Sequence, residues 1–243
     1  MQSGNTLLHV GETAVILPGT GSDEVFVASV FAGPLAAVGL DLVAVRPRPG
    51  KDLVSDHLAA LDAAAEQGPI VVGGISLGAH LAAEWALAHP RLCTGVLLAM
   101  PAWHGPGENA PAAPAALAAH ASADAVDALG VNATLAAADV EPWLAGELSR
   151  AWHRHGEGLA PSLRAAAEHP APTRAELARL RVPAGVAACT DDPVHPLAVA
   201  RSWAAALPHS SLGTTTLTAF GADRESLGRA TVLAWLRAGG RAG

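Results

Sequence analysis

The run Ile70-Val71-Val72-Gly73-Gly74-Ile75-Ser76-Leu77-Gly78 sets a serine between glycines two residues before and two after it. An apolar stretch suited to a buried strand leads into the serine, and a helical pattern starts at Leu77. Ser76 then sits at the tip of a sharp strand-to-helix turn with its hydroxyl exposed. Side chains at positions 74 and 78 would collide with the neighbouring strand and helix, so both are glycine. The chemistry such a turn serves is attack by Ser76 on a carbonyl carbon. The amide of Leu77, at a helix N-terminus, would stabilise the resulting oxyanion. The bland alternative is a glycine-rich turn of a dinucleotide-binding fold, but Gly-x-Gly-x-x-Gly is absent here.

A nucleophile of this kind needs elements that hold it, and the chain supplies them in alternation. Strands are expected over Thr13–Leu17, Asp41–Val45, Pro69–Gly73, Thr94–Met100, Val182–Ala188 and Gly213–Ala219, with a possible antiparallel edge strand at Thr6–Val10. Helices are expected over Asp23–Val38 (Ser22 or Asp23 as N-cap), Asp52–Gln67, Leu77–Ala88, Pro196–Ala206 and Arg224–Ala238. This order predicts an α/β fold whose central sheet is mostly parallel, eight-stranded or slightly reduced, with helices on both faces. Ligands of such sheets lie beyond the carboxyl ends of the strands. The Pro18–Gly21, Met100–Gly105 and Thr190–Pro196 loops share that edge with Ser76. Residues 105–180 break the rhythm: a Pro-rich entry is followed by Ala-rich helix formers with Trp143 and Trp152 among them. We expect a helical cap over the active edge, with residues 1–104 and 181–243 forming the core.

Composition narrows the partners. About half of the 243 residues are hydrophobic (51%), enough for a sizeable core, and the formal net charge is −7 with Lys51 the sole lysine. No basic stripe points to nucleic acid. No apolar run reaches membrane-span length, and the N-terminus lacks a signal-peptide pattern, so a cytoplasmic protein is expected. Cys93 and Cys189 fall at opposite ends of parallel strands, too far apart to bridge, and read as buried small hydrophobes. No HExxH or Cys-His cluster has metal-ligand spacing, and neither a metal nor a cofactor is expected.

With these residues in place, the chain resembles the α/β-hydrolase superfamily over nearly its whole length. The resemblance implies a serine esterase- or lipase-like α/β-hydrolase fold with a helical cap insertion. It implies that the Leu17-Pro18-Gly19-Thr20-Gly21 loop presents Thr20 as the second oxyanion amide beside Leu77. It places the acid in Asp191-Asp192-Pro193-Val194-His195-Pro196, with Asp192 at the right spacing to Pro196; the alternative is that these aspartates cap the next helix. The family's base is a histidine after the last strand. That segment reads Ala219-Phe220-Gly221-Ala222-Asp223-Arg224-Glu225 and has Asp223 where the histidine belongs. A carboxylate is too weak a base near neutral pH to replace an imidazole unaided.

Eleven histidines are available as substitutes. His104 and His195 are the best placed, because their loops open on the active edge. His80 is expected on the packing face of the helix after Ser76, while His153 and His155 could descend from the cap. His57, His89, His120, His169 and His209 look solvated. Two functions follow. One is a serine hydrolase acting on an ester, thioester or lactone of a small apolar acyl or aromatic substrate. The other is an inactive protein of the same fold that binds a small ligand or a protein partner. A cap of this sort could also support a homodimer.

Overall fold

The computed structural model describes residues 12–105 and 113–241. In chain order its elements are β1 (Thr13–Leu17), α1 (Glu24–Ala36), β2 (Asp41–Ala44), α2 (Leu53–Ala65), β3 (Ile70–Ile75), α3 (Leu77–Ala88) and β4 (Cys93–Ala99). Four helices follow: α4 (Pro114–Ala137), α5 (Pro142–His155), α6 (Leu159–Glu168) and α7 (Arg174–Leu177). The chain then returns to β5 (Ala184–Cys189), α8 (Leu197–Ala206), β6 (Ser210–Thr215), α9 (Leu217–Ala222) and α10 (Glu225–Arg237).

The described strands form one six-stranded sheet in the order β2-β1-β3-β4-β5-β6. Every pairing is parallel. Such a sheet needs cover on both faces, and β3 and β5 are buried along their whole length. On one face α1 and α10 set Phe31, Leu35, Leu227 and Trp235 against Ile16, Val71 and Leu97. On the other, α2, α3 and α8 set Leu61, Leu81, Trp85 and Trp203 against Val15, Val72, Leu98 and Val186. The strand order reverses between β1 and β3, and the crevice beyond their carboxyl ends is where a ligand is expected. No described helix is long and apolar enough to cross a membrane.

The sheet agrees with the alternation read from the sequence, apart from where the last strand ends. The Thr6–Val10 edge strand lies outside the described residues. The last strand is β6, which ends at Thr215, not at Ala219. The run Thr214–Thr218 is rich in β-branched residues and so reads as strand. Thr216 instead caps a helix, its hydroxyl accepting the Ala219 amide at 3.1 Å, and the chain turns four residues early. His57 is not solvated but 2% exposed on the inner face of α2. Burial pushes its pKa down to about 4, so it stays neutral.

The α1–α10 crossing is set by Gly228. A Cβ there would lie 1.9 Å from the carbonyl oxygen of Val30, which as backbone cannot move aside. In an exposed helix Gly→Ala stabilises by about 1 kcal/mol. Here Gly228→Ala is expected to destabilise by about 1–3 kcal/mol, the cost of overpacking. Urea unfolding decides the sign.

Candidate active site

Ser76 closes β3 with φ 56° and ψ −115°. This is one of two non-glycine residues at positive φ among those described; the other, Met100, lies beyond the end of neighbouring β4. A conformation of this kind costs on the order of 1–3 kcal/mol and persists only where packing enforces it. The enforcement is visible. A Cβ on Gly74 would stand 2.2 Å from the Gly78 carbonyl carbon, and one on Gly78 would stand 2.5 Å from the Leu17 carbonyl oxygen. Strand end, helix start and β1 thus meet backbone to backbone, and the chain can only turn sharply, aiming the Ser76 side chain outward. The Ser76 amide donates to Ala99 O at 2.9 Å. The next amide, on Leu77, opens α3, where helix geometry offers it no intrahelical acceptor. Gly19 in the loop after β1 packs onto the Ser76 Cβ, with its own would-be Cβ at 3.5 Å. Thr20 follows it into the same cavity wall.

His195 reaches Ser76 from the loop after β5. Its Nε2 lies 2.9 Å from Ser76 Oγ, and its Nδ1 lies 2.9 Å from Asp192 Oδ2. The other carboxylate oxygen of Asp192 accepts the amides of Val194 (2.7 Å) and His195 (3.1 Å). These two bonds fold residues 192–195 into a tight turn that presents imidazole and carboxylate together. Burial raises the Asp192 pKa, but the hydrogen bond and charge of His195 and the two amides outweigh it, and the net shift is downward. Asp192 is therefore ionised at neutral pH. It accepts from Nδ1–H, which leaves Nε2 as the acceptor facing the serine hydroxyl. The loop is tied down by its neighbour, since Asp191 Oδ1 accepts the Leu217 amide at 2.7 Å across to the β6–α9 junction.

The other expected site residues lie elsewhere. Asp223 does not approach Ser76. Its side chain is 50% exposed and pairs with Arg229, whose hydrogen bond holds its carboxyl below the ordinary range. The misplaced end of the last strand accounts for the difference: α9 intervenes, and the residue that enters the cavity just beyond β6 is Leu217. His104 stacks on Trp203 at 5.9 Å and is not part of the cavity wall. His80 packs as expected, stacked on Trp203, with Nε2 accepting the Ala102 amide at 2.9 Å. Full burial drives its pKa to about 3. His153 bonds Asn132 outside the cavity. His155 donates to the Ser22 carbonyl at 3.0 Å, behind the β1 loop.

Ser76 and His195 open into a cavity of about 750 Å³. Its far wall comes from α4, α5 and α6, including Trp143, Leu144, Leu148, Trp152 and Leu163. Phe26, Phe220 and Trp143 form a continuous aromatic face, with ring centroids 5.8 and 5.3 Å apart. The sequence reading missed what holds α5 in place. Asp23, the N-cap of α1, is 1% exposed and takes Arg150 and Arg154 from α5 at 2.8 and 3.0 Å. On the other side of the cavity, the Arg224 guanidinium lies 4.2 Å over the Trp143 ring. Two arginines one turn apart on an amphipathic helix were visible in sequence; their shared partner, 127 and 131 residues away, was not.

Comparison with known proteins agrees with this architecture. The model of a family described as "Alpha/beta hydrolase family" matches residues 8–223. Among solved structures, the chain is similar to NosK from Streptomyces actuosus (22% identity, TM-score 0.64, covering 93% of this chain and 98% of that one). It is similar to a thermophilic esterase from Thermogutta terrifontis (16%, TM-score 0.64, 85% and 81%). It is also similar to the enol-lactonase from Burkholderia xenovorans LB400 (19%, TM-score 0.60, 85% and 82%). At these identities the likeness is one of fold. Comparison with curated proteins finds no match.

The Asp23 clamp has a pH signature. Burial raises the Asp23 pKa, but the hydrogen bond and charge of Arg150, the Phe26 amide and Arg154 together hold it below 3.8. A lowered carboxylate contributes stability that is full above the unfolded-state value and is lost as pH falls through the folded-state value. Asp23→Asn is expected to cost about 1–3 kcal/mol at pH 7. The gap to the unsubstituted protein should close as pH falls below about 4. Thermal unfolding across pH 3–7 checks this; a gap independent of pH would show that the charge is not what matters.

Proposed function

Because the chain belongs to the alpha/beta hydrolase family, we propose that it is a serine hydrolase cleaving an ester, thioester or lactone of a small apolar substrate. The observation that carries this reading is one imidazole, that of His195, within 2.9 Å of both Ser76 Oγ and Asp192 Oδ2. Ser76 Oγ attacks the carbonyl carbon while His195 Nε2 takes the hydroxyl proton. Asp192 holds the ring in the required tautomer and stabilises the imidazolium. The amides of Leu77 and Thr20 receive the oxyanion. As the tetrahedral intermediate collapses, the bond to the leaving oxygen or sulfur breaks, and His195 returns the proton to it. Water then attacks the acyl-enzyme with its proton passing to His195, and the second collapse releases the acid and restores Ser76.

The described helices α4, α5 and α6 act in this reading as a cap that keeps the acyl group dry. The cavity lies within the size range of small-molecule sites and has a mostly apolar wall, which suits an acyl or aromatic group. The names of two structural neighbours, an esterase and an enol-lactonase, are in keeping with ester or lactone chemistry. The inactive alternative rested on the missing histidine after the last strand, and His195 supplies the proton acceptor that alternative lacked.

Turnover of p-nitrophenyl esters and labelling by a fluorophosphonate probe test the assignment. Ser76→Ala is expected to abolish labelling and to lower turnover by about 10³-fold or more. His195→Ala should cost about 10²–10⁴-fold, the usual worth of general-base catalysis. Asp223→His should leave turnover unchanged, since position 223 faces solvent beside Arg229. Undiminished turnover in His195→Ala would overturn the assignment of the base.

A further inference from the structure

We infer that the cavity selects substrates by charge: it admits neutral or cationic groups and excludes those bearing a carboxylate, phosphate or other anion. The inference deepens the hydrolase reading and rests on the cavity being the substrate site. Among the described residues, no lysine or arginine contributes to the cavity wall, whereas Asp139, Glu141, Glu147 and Asp192 do. Residues 106–112, which lie outside the described ones, contain no lysine or arginine either.

These carboxylates are not equivalent. Asp192 is engaged by His195, and Glu147 is paired with Arg150 and lies near Arg224. Asp139 and Glu141, in the connection between α4 and α5, are exposed and have no ion-pair partner among the described residues. They leave an uncompensated double negative charge on the cavity wall.

The apolar part of the wall acts in the same direction by a different mechanism. Phe26, Phe220 and Trp143 line the cavity with aromatic carbon, which offers an anion no hydrogen-bond donor to replace its lost water. An anion there would lose hydration without compensation, whereas a cation is tolerated on aromatic carbon, as the Arg224 guanidinium on Trp143 illustrates. The Arg224 guanidinium sits on Trp143 and is absent from the cavity lining. An anionic acyl chain thus finds no cationic side chain on the described wall and meets like charge from Asp139 and Glu141. The net charge of −7 adds long-range repulsion to its approach.

The test compares p-nitrophenyl esters of 3-phenylpropanoic acid bearing hydrogen, a carboxylate or an aminomethyl group at the para position. The expected kcat/KM for the carboxylate ester is at least about tenfold below the neutral one, with the ammonium ester equal to or above it. The carboxylate-to-neutral ratio should rise in 0.5 M NaCl and in the Asp139→Asn/Glu141→Gln double variant. Equal kcat/KM for carboxylate and neutral esters, or a ratio unmoved by both changes, would overturn the inference.

A separate binding measurement isolates this inference from the catalytic assignment. Trp103, Trp143 and Trp152 line the cavity, so quenching of indole fluorescence by the corresponding para-substituted 3-phenylpropanamides can be followed in Ser76→Ala. If no ester is turned over but the ammonium and neutral amides bind at least tenfold tighter than the carboxylate, charge selection stands and the hydrolase reading fails. Brisk turnover without charge order is the reverse result and overturns charge selection alone.

Discussion

The site depends on a three-way backbone contact. The end of β3, the first turn of α3 and the end of β1 approach so closely that neither Gly74 nor Gly78 has room for a Cβ. That crowding holds Ser76 at φ 56°. It also opens a helix at Leu77 and brings Gly19 onto the serine. The candidate nucleophile and candidate oxyanion amides are therefore arranged by the same packing. The strain at Ser76 is held by the buried strands on either side, which is why the element carrying it lies at the centre of the sheet.

The partner of Ser76 is arranged locally. Asp192 and His195 are three residues apart, and the carboxylate both shapes the turn through two amides and orients the ring. The pair needs only one point of entry to the cavity, the end of β5, and leaves the end of β6 free. Leu217 lines the cavity there and adds apolar surface. Asp191 links the two strand ends, so the short loop is braced against the β6–α9 junction.

The covering helices are joined to the core by different forces on different sides. On the β1 side the contact is ionic and buried at its centre, with Asp23 serving at once as the N-cap of α1 and as the anchor for two arginines of α5. On the α9 side it is a guanidinium on an indole. Both contacts place positive charge behind the cavity wall and apolar or acidic groups toward its interior.

The sequence by itself determined the elbow, the parallel sheet and the edge on which chemistry would occur, because each depends on short-range pattern. Alternating apolar runs specify buried strands, and Gly74-x-Ser76-x-Gly78 specifies a turn whose steric demand is local. It also brought Asp192 and His195 into view as neighbours on one loop. Tertiary structure alone decided that His195 is the imidazole facing Ser76, since eleven histidines share one chemistry and only packing separates them. It removed Asp223 from the site because Thr216 turns the chain into a helix where β-branched residues had suggested strand. It also revealed the Asp23–Arg150 clamp, a contact between residues 127 apart whose pairing no local pattern encodes. Short-range sterics and periodicity are written along the chain; the choice among chemically identical partners is made by where the folded backbone brings them.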